Sequence, residues 1–204
     1  MKKKRTESLY CKYVKRLIDI VICLVALPFF VVLYIIIGLA VKFEDHGPIF
    51  YMAERIGKDK KLLKMYKFRS MKVDAPNILN SDGSTYNSAS DSRVTKVGKF
   101  LRVTSLDEIP QIINVLKGEM SIIGPRASGY EALSSYRDDE MDKMNVVPGI
   151  TGYTQAYYRN NLSVREKRLK DAWYANNVSL KLDIKIFFKT IITVLKRDNI
   201  YTNK

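Results

Sequence analysis

The sequence predicts an α+β, mainly helical, membrane-associated domain. A basic N-terminus, residues 1–16, leads into a re-entrant membrane helix at 17–41 bent at Pro28, and a cytoplasmic domain follows at 42–204 with a polar loop at 74–92. Three observations predict it. Leu17 to Val41 is a run of 25 residues with one charge, Asp19. Both flanks of that run are rich in Lys and Arg. Beyond it, short strand-like groups alternate with stretches of helical periodicity.

As a straight helix the apolar run would be about 37 Å long, enough to cross a bilayer. Lys2, Lys3, Lys4, Arg5, Lys12, Lys15 and Arg16 precede it, and Lys42, Arg55, Lys58, Lys60, Lys61, Lys64, Lys67 and Arg69 follow it. Basic residues favour the cytoplasmic side, so both ends ask for the same face. Pro28, near the middle, lacks a backbone donor and clashes with the preceding turn, which kinks or breaks a helix. A helix that dips in, bends and returns satisfies both facts. An ordinary spanning helix with a kink is the competing reading, because long C-terminal domains translocate largely regardless of charge. A cleaved signal peptide ending near Gly38-Leu39-Ala40 is a weaker one, since the apolar run exceeds the usual length.

The chain has 35 Lys and Arg against 21 Asp and Glu, a net charge of +14, so its partner is anionic: nucleic acid, a membrane surface or a phosphorylated small molecule. Cys11 and Cys23 are its only cysteines and build no disulfide framework. His46 is its single histidine, which excludes histidine-rich metal sites, and its setting in DHGP reads as a turn.

From Lys42 to Met71, PIFYMAERIG and LLKMYKFRSM read as short strands or turns with exposed basic residues; Arg55, Lys67 and Arg69 on them are candidates for binding phosphate or nucleotide. DAPNILNSDGSTYNSASDS, 74–92, has almost no core formers and reads as a lid or a disordered loop. Ile109, Ile112, Ile113 and Leu116 then fall at i, i+3, i+4 and i+7, with Gly118 placed to end the helix. Pro110 fits only near its first turn, so Asp107 and Glu108 lie at its N-terminal end. Two acids side by side in a basic chain have a plain structural reading: Ser105-Leu-Asp-Glu108 fits a capping box. SIIGPR reads as a strand and turn ending at Arg126, and VVPGITG as a turn and bend. Ile184, Phe187, Phe188, Ile191 and Leu195 share one face of a final helix, suited first to core packing and second to resting on lipid.

KRLIDI, GPIFYMAERIG, YKFRSM, SRVTKVGKFLRVTSLDEIPQIINVLKGEMSIIGPR, PGITG and DAWYANNVSLKLDIKIFFKT together resemble the bacterial sugar transferases, the monotopic phosphoglycosyl transferases, from about Lys15 to Leu195. In length the chain looks like their minimal form. The resemblance implies transfer of a sugar-1-phosphate from a UDP-sugar to undecaprenyl phosphate, with release of UMP, at the cytoplasmic face of the inner membrane. That would be the first membrane step in assembling a capsule, exopolysaccharide, O-antigen or glycoprotein glycan. It further implies Asp107 as the nucleophile that carries a covalent phosphosugar, Glu108 in acid/base work or Mg2+ contact beside Asp107, Arg102 and Arg126 on phosphate, and Asp183 in a supporting role. Anionic lipids and downstream glycosyltransferases are the implied partners, and nucleic acid is not. Leu27-Pro28 replaces the commoner Ser-Pro, GPRA replaces GPRP at Ala127, and TGYTQAYYRN departs from the usual tryptophan-containing version, which bears on donor specificity. Two other classes stay open at this point: a membrane-anchored basic binding protein without catalysis, and a glycosyltransferase that releases UDP.

Overall fold

The computed structural model describes residues 8–78, 80, 86, 88, 90–159 and 161–196. Residues 1–7 of the basic N-terminus and residues 79, 81–85, 87 and 89 of the polar loop lie outside the described residues. At the base of that loop Arg93 pairs with Asp91 at 2.7 Å and donates to the Pro76 carbonyl at 2.6 Å.

The apolar run forms α1, Lys15–Asp45, after a π turn at Tyr10–Val14. The helix runs as one uninterrupted element across Pro28, where the sequence predicts a bend, and extends beyond both ends of 17–41. It is long and apolar enough to cross a membrane. Its packed positions are Asp19, Cys23, Ala26, Phe30, Leu33, Ile37 and Val41, spaced by threes and fours, so one stripe faces the rest of the domain along the whole helix. Leu17, Val25, Phe29, Val32, Ile36, Leu39 and Phe43, off that stripe, are apolar and exposed. Both ends are tied to the same domain. Arg16 donates to the carbonyls of Val115 and Leu116, and the Ile122 N–H donates to Asp19 Oδ1 at 3.0 Å. At the far end Glu44 accepts from the N–H groups of Lys96 and Val97 at 2.6 and 3.1 Å. His46 ends the helix in the left-handed region at φ 58°, the turn role its sequence context predicts.

The two basic stretches form an antiparallel hairpin, β1 (Phe50–Ile56) and β2 (Leu62–Phe68), with Tyr51 opposite Lys67 and Arg55 opposite Leu63. Ala53, Leu63 and Met65 on its inner face meet Ile112, Val115 and Met120, with Cys23 of α1 closing this core. Helix α2 (Lys96–Thr104) is capped by Thr95, whose Oγ1 accepts from the Gly98 N–H at 2.9 Å. Gly98 is required because a Cβ there would lie 2.0 Å from the Ser70 carbonyl oxygen, so α2 rests directly on the chain leaving β2.

A 3₁₀ turn, Leu106–Gln111, with Pro110 inside it, runs into α3 (Ile112–Lys117), which Gly118 closes at φ 82°. The expected helix is present, but as this composite. The capping box at its start is not formed. Ser105 sits in the left-handed region at φ 60° as the residue that ends α2 and makes no side-chain cap, while Glu108 turns to cations instead. Strand β3 (Ser121–Ile123) pairs in parallel with β4 (Gly149–Thr151), and α4 (Tyr153–Tyr157), α5 (Val164–Asn177) and α6 (Leu180–Lys196) follow. Ile123, Ala156, Tyr174, Val178 and Ile186 make the second core.

For α6 the preferred sequence reading is corrected. Ile184, Phe187, Phe188, Ile191 and Leu195 face outward, Phe188 at 61% and Leu195 at 76% exposure. The packed face is Asp183, Ile186, Thr190 and Thr193, three of them polar with partners: Thr190 meets Thr151 at 2.8 Å and Thr193 donates to the Ala156 carbonyl at 2.9 Å. Apolar periodicity marks a stripe without saying what covers it; here hydrogen bonding took the inner face.

Candidate active site

Three elements bring charge to one place. Lys67 comes from the end of β2, Asp107 and Glu108 from the 3₁₀ turn, and Arg126 from the segment after β3. Glu108 Oε1 accepts from Lys67 Nζ at 2.7 Å and from Arg126 Nη2 at 3.4 Å. Asn114 sets the register between these parts. Fully buried in α3, it accepts from the Tyr66 N–H at 3.0 Å and donates to the Lys64 carbonyl at 2.9 Å, so its amide stands in for a neighbouring strand along β2. Its amide also donates to Glu119 at 2.8 Å. The element that carries the two acids is thereby locked to the strand that carries Lys67.

The acids are driven apart in character. Burial opposes ionisation of Glu108, but Lys67 and then Arg126 outweigh it and hold that carboxyl well below its usual range. Burial raises Asp107 to about 6; Lys67 pulls against this and the charge on Glu108 adds to it, with Arg102 and Arg126 also favouring the anion. Two adjacent carboxyls with divergent environments are a recurrent arrangement for distinct chemical roles.

Arg102, on α2, donates to Ser70 Oγ at 3.0 Å and contributes to the field on Asp107. Arg55 is half-buried; burial and then the charge on Arg126 lower its affinity for a proton. Arg55, Lys67, Arg102 and Arg126 thus share the field around the two acids. Arg69 does not join them, contrary to expectation. It is buried, forms a two-pronged pair with Asp45 at the end of α1 and donates to the Pro48 carbonyl at 2.6 Å, so its donors are engaged away from the site. Asp183 is likewise elsewhere: buried, it accepts from Tyr10 at 2.7 Å, Lys15 at 2.5 Å and Tyr174 at 2.7 Å, fastening the start of α1 to α5 and α6. It ties α1 to the rest of the fold and lies away from the two acids. Pro28 lies within α1.

No cluster of three or more His, Cys, Asp or Glu occurs among the described residues. The oxygen donors of Asp107 and Glu108 suit a hard cation whose remaining ligands come from substrate phosphates and water, the usual way Mg2+ is bound, and do not form an all-protein cage.

Sequence reasoning missed Asn114 and a second group, Ser128, Tyr136 and Lys143, behind Arg126. An amide inside the apolar run of α3 was a usable signal for the first. Nothing in DDEMDKMN marks Lys143 as buried, since a lysine among acids reads as solvent-facing.

The sequence is similar to an undecaprenyl-phosphate galactose phosphotransferase of Salmonella typhimurium, 37% identical over 205 residues, covering 93% of this chain and 42% of the relative. A UDP-glucose:undecaprenyl-phosphate glucose-1-phosphate transferase of Escherichia coli is 42% identical over 188 residues, covering 88% of this chain and 40% of the relative. The exopolysaccharide production protein ExoY of Rhizobium meliloti is 38% identical over 191 residues and is itself covered to 84%. The chain therefore spans about two fifths of the first two relatives and most of the third. Residues 10–197, from the π turn ahead of α1 to just past α6, match the sequence profile of the bacterial sugar transferases, and the chain belongs to that family.

Proposed function

We propose that this protein transfers a sugar-1-phosphate from a UDP-sugar to undecaprenyl phosphate, releases UMP, and so begins surface-glycan assembly at the cytoplasmic face of the inner membrane. The observation that carries the reading is Asp107: a carboxyl raised to about 6, next to a Glu108 already committed to Lys67 and Arg126, in a field of four cations. A carboxylate approaching a diphosphate brings anion to anion, and fixed cations are what such a step needs. Asp107 attacks the sugar-bearing phosphorus. The bond from that phosphorus to the bridging oxygen breaks, and UMP leaves with the electron pair. An oxygen of undecaprenyl phosphate then attacks the aspartyl phosphosugar, and the Asp107 carboxylate departs with the electrons of the broken bond, ready for another turn. Splitting the transfer in this way lets a soluble donor and a lipid acceptor use one site in sequence. Asp107 and Glu108 would hold Mg2+ together with the phosphate oxygens, and the ion would supply further charge neutralisation. Arg126, Arg102 and Arg55 bind and orient the diphosphate.

The packing supports one membrane arrangement. Arg16 and Asp19 at one end of α1, and Glu44 and Asp45 at the other, bind the same domain, which favours a re-entrant helix with both ends on the cytoplasmic side over a crossing. The outward apolar faces of α1 and α6 suit lipid. Trp173 and Tyr157 are exposed, with Lys189 over the Tyr157 ring at 5.8 Å, a composition suited to anionic headgroups.

Incubating the protein with a panel of UDP-sugars, Mg2+ and undecaprenyl phosphate tests the function. UMP is the expected product. UDP would indicate a glycosyltransferase proper, and binding without either product a membrane-anchored basic binding protein.

A further inference from the structure

The segment that carries Arg126 is fixed along its backbone. Gly149 donates to the Pro125 carbonyl at 2.9 Å, Ile56 donates to the Ser128 carbonyl at 2.9 Å, and Arg55 and Gly129 form an isolated bridge. A Cβ on Gly149 would lie 2.0 Å from the Gly124 nitrogen, so the two chains touch where the segment begins. These contacts set Ser128 and Gly129 of the segment against Ile56 and Arg55 of β1. Arg126, whose side chain is 53% exposed, is held at the two acids by a 3.4 Å contact to Glu108.

Ser128, two residues after Arg126, is held from below. Its Oγ accepts from Tyr136 OH at 2.6 Å and from Lys143 Nζ at 3.1 Å. Lys143 is buried and paired with Asp171 Oδ2 at 3.0 Å, and the other oxygen of Asp171 accepts from Thr154 at 2.9 Å. Burial disfavours the ammonium, yet Asp171 and Tyr136 keep it charged above the usual lysine range. A buried ion pair is a weak source of stability compared with apolar residues of equal volume. Its directed donor is what an apolar core would not supply.

We propose that Ser128, gripped by Lys143 and Tyr136, is a positioning residue that holds Arg126 beside Glu108 and Asp107, so that a diphosphate meets a guanidinium already in place. The grip makes binding strength depend on a hydroxyl that need not touch the ligand. This rests on the reading of Arg126 as a phosphate ligand.

The test is a double-mutant cycle on the full chain in detergent, read as the dissociation constant for UDP, which carries the diphosphate and needs no knowledge of the donor sugar. Arg126→Ala should weaken UDP about 10- to 100-fold, as expected for loss of a charge-assisted contact. Ser128→Ala should weaken it about 5-fold, within the coupling range of contacting groups, and Ser128→Thr, which keeps the hydroxyl, should restore it. In an Arg126→Ala background Ser128→Ala should have no further effect. An equal loss in both backgrounds, or wild-type affinity in Ser128→Ala, overturns the positioning role while leaving Arg126 on phosphate. Unchanged affinity in Arg126→Ala overturns the phosphate reading and the positioning role with it.

Discussion

Replacing Asp107 by Asn should abolish turnover and stabilise the fold. The carboxyl is raised from an ordinary 3.8 to about 6, chiefly by burial. About two units at 1.36 kcal/mol each put the cost of keeping it ionised near 3 kcal/mol, and the part due to the charge on Glu108 is relieved by the same substitution. Between pH 3.8 and 6 the folded state binds more protons than the unfolded state, so this cost is absent at low pH, grows through that window and is complete above about 6. Asn, which is neutral throughout, escapes it. For a chain of this size the gain corresponds to about 5–10 °C in Tm at pH 8 and should shrink towards zero near pH 4. Thermal unfolding of both proteins in detergent across pH 4–8, paired with UMP release, measures this. Destabilisation of Asp107→Asn at pH 8, or retained turnover, would refute the argument that a strained anion at 107 does the chemistry.

Lys67→Met removes the nearer partner of Glu108 and the largest attraction holding Asp107 as an anion, so the acidic limb of the pH–rate profile should move to higher pH; an unmoved limb would detach Lys67 from the dyad. Asn114→Ala leaves the Tyr66 N–H and Lys64 carbonyl without their side-chain partner and should cost about 3 kcal/mol of stability together with a drop in kcat, read by thermal unfolding and UMP release. Single cysteines at positions 8 and 60, in a chain lacking Cys11 and Cys23, should react with an impermeant reagent from the same side of sealed vesicles; labelling from opposite sides would mean that α1 crosses the membrane.

Where periodicity and turn chemistry agree, the sequence was legible. Extended stretches at β1 and β2, the helix through Ile112 and Leu116 closed by Gly118, and the turn at His46 all follow from local rules, whereas the pairing of β1 with β2 came from the structure. The site was legible in its residue types, because adjacent acids amid arginines have few purposes. It was less so in its partners. Arg69 and Lys67 lie two residues apart in one basic stretch, yet the chain reaches Asp45 with one and Glu108 with the other, a choice made by the docking of α1. The capping box failed because the left-handed Ser105 serves the preceding helix, a competition that a four-residue pattern does not reveal. The outer face of α6 failed for a different reason: apolar stripes look alike whether protein or lipid covers them.

The most direct measurement is to trap the intermediate. Wild-type protein incubated with a UDP-sugar labelled in the sugar-bearing phosphate, without lipid acceptor, is quenched and digested, and the label is located by peptide mass spectrometry. The account predicts phosphosugar on the peptide containing Asp107 and none in Asp107→Asn, with UMP formed in equal amount to the adduct. Release of UMP that depends on undecaprenyl phosphate, with no adduct under any quench, would contradict it and assign the transfer to a single direct displacement.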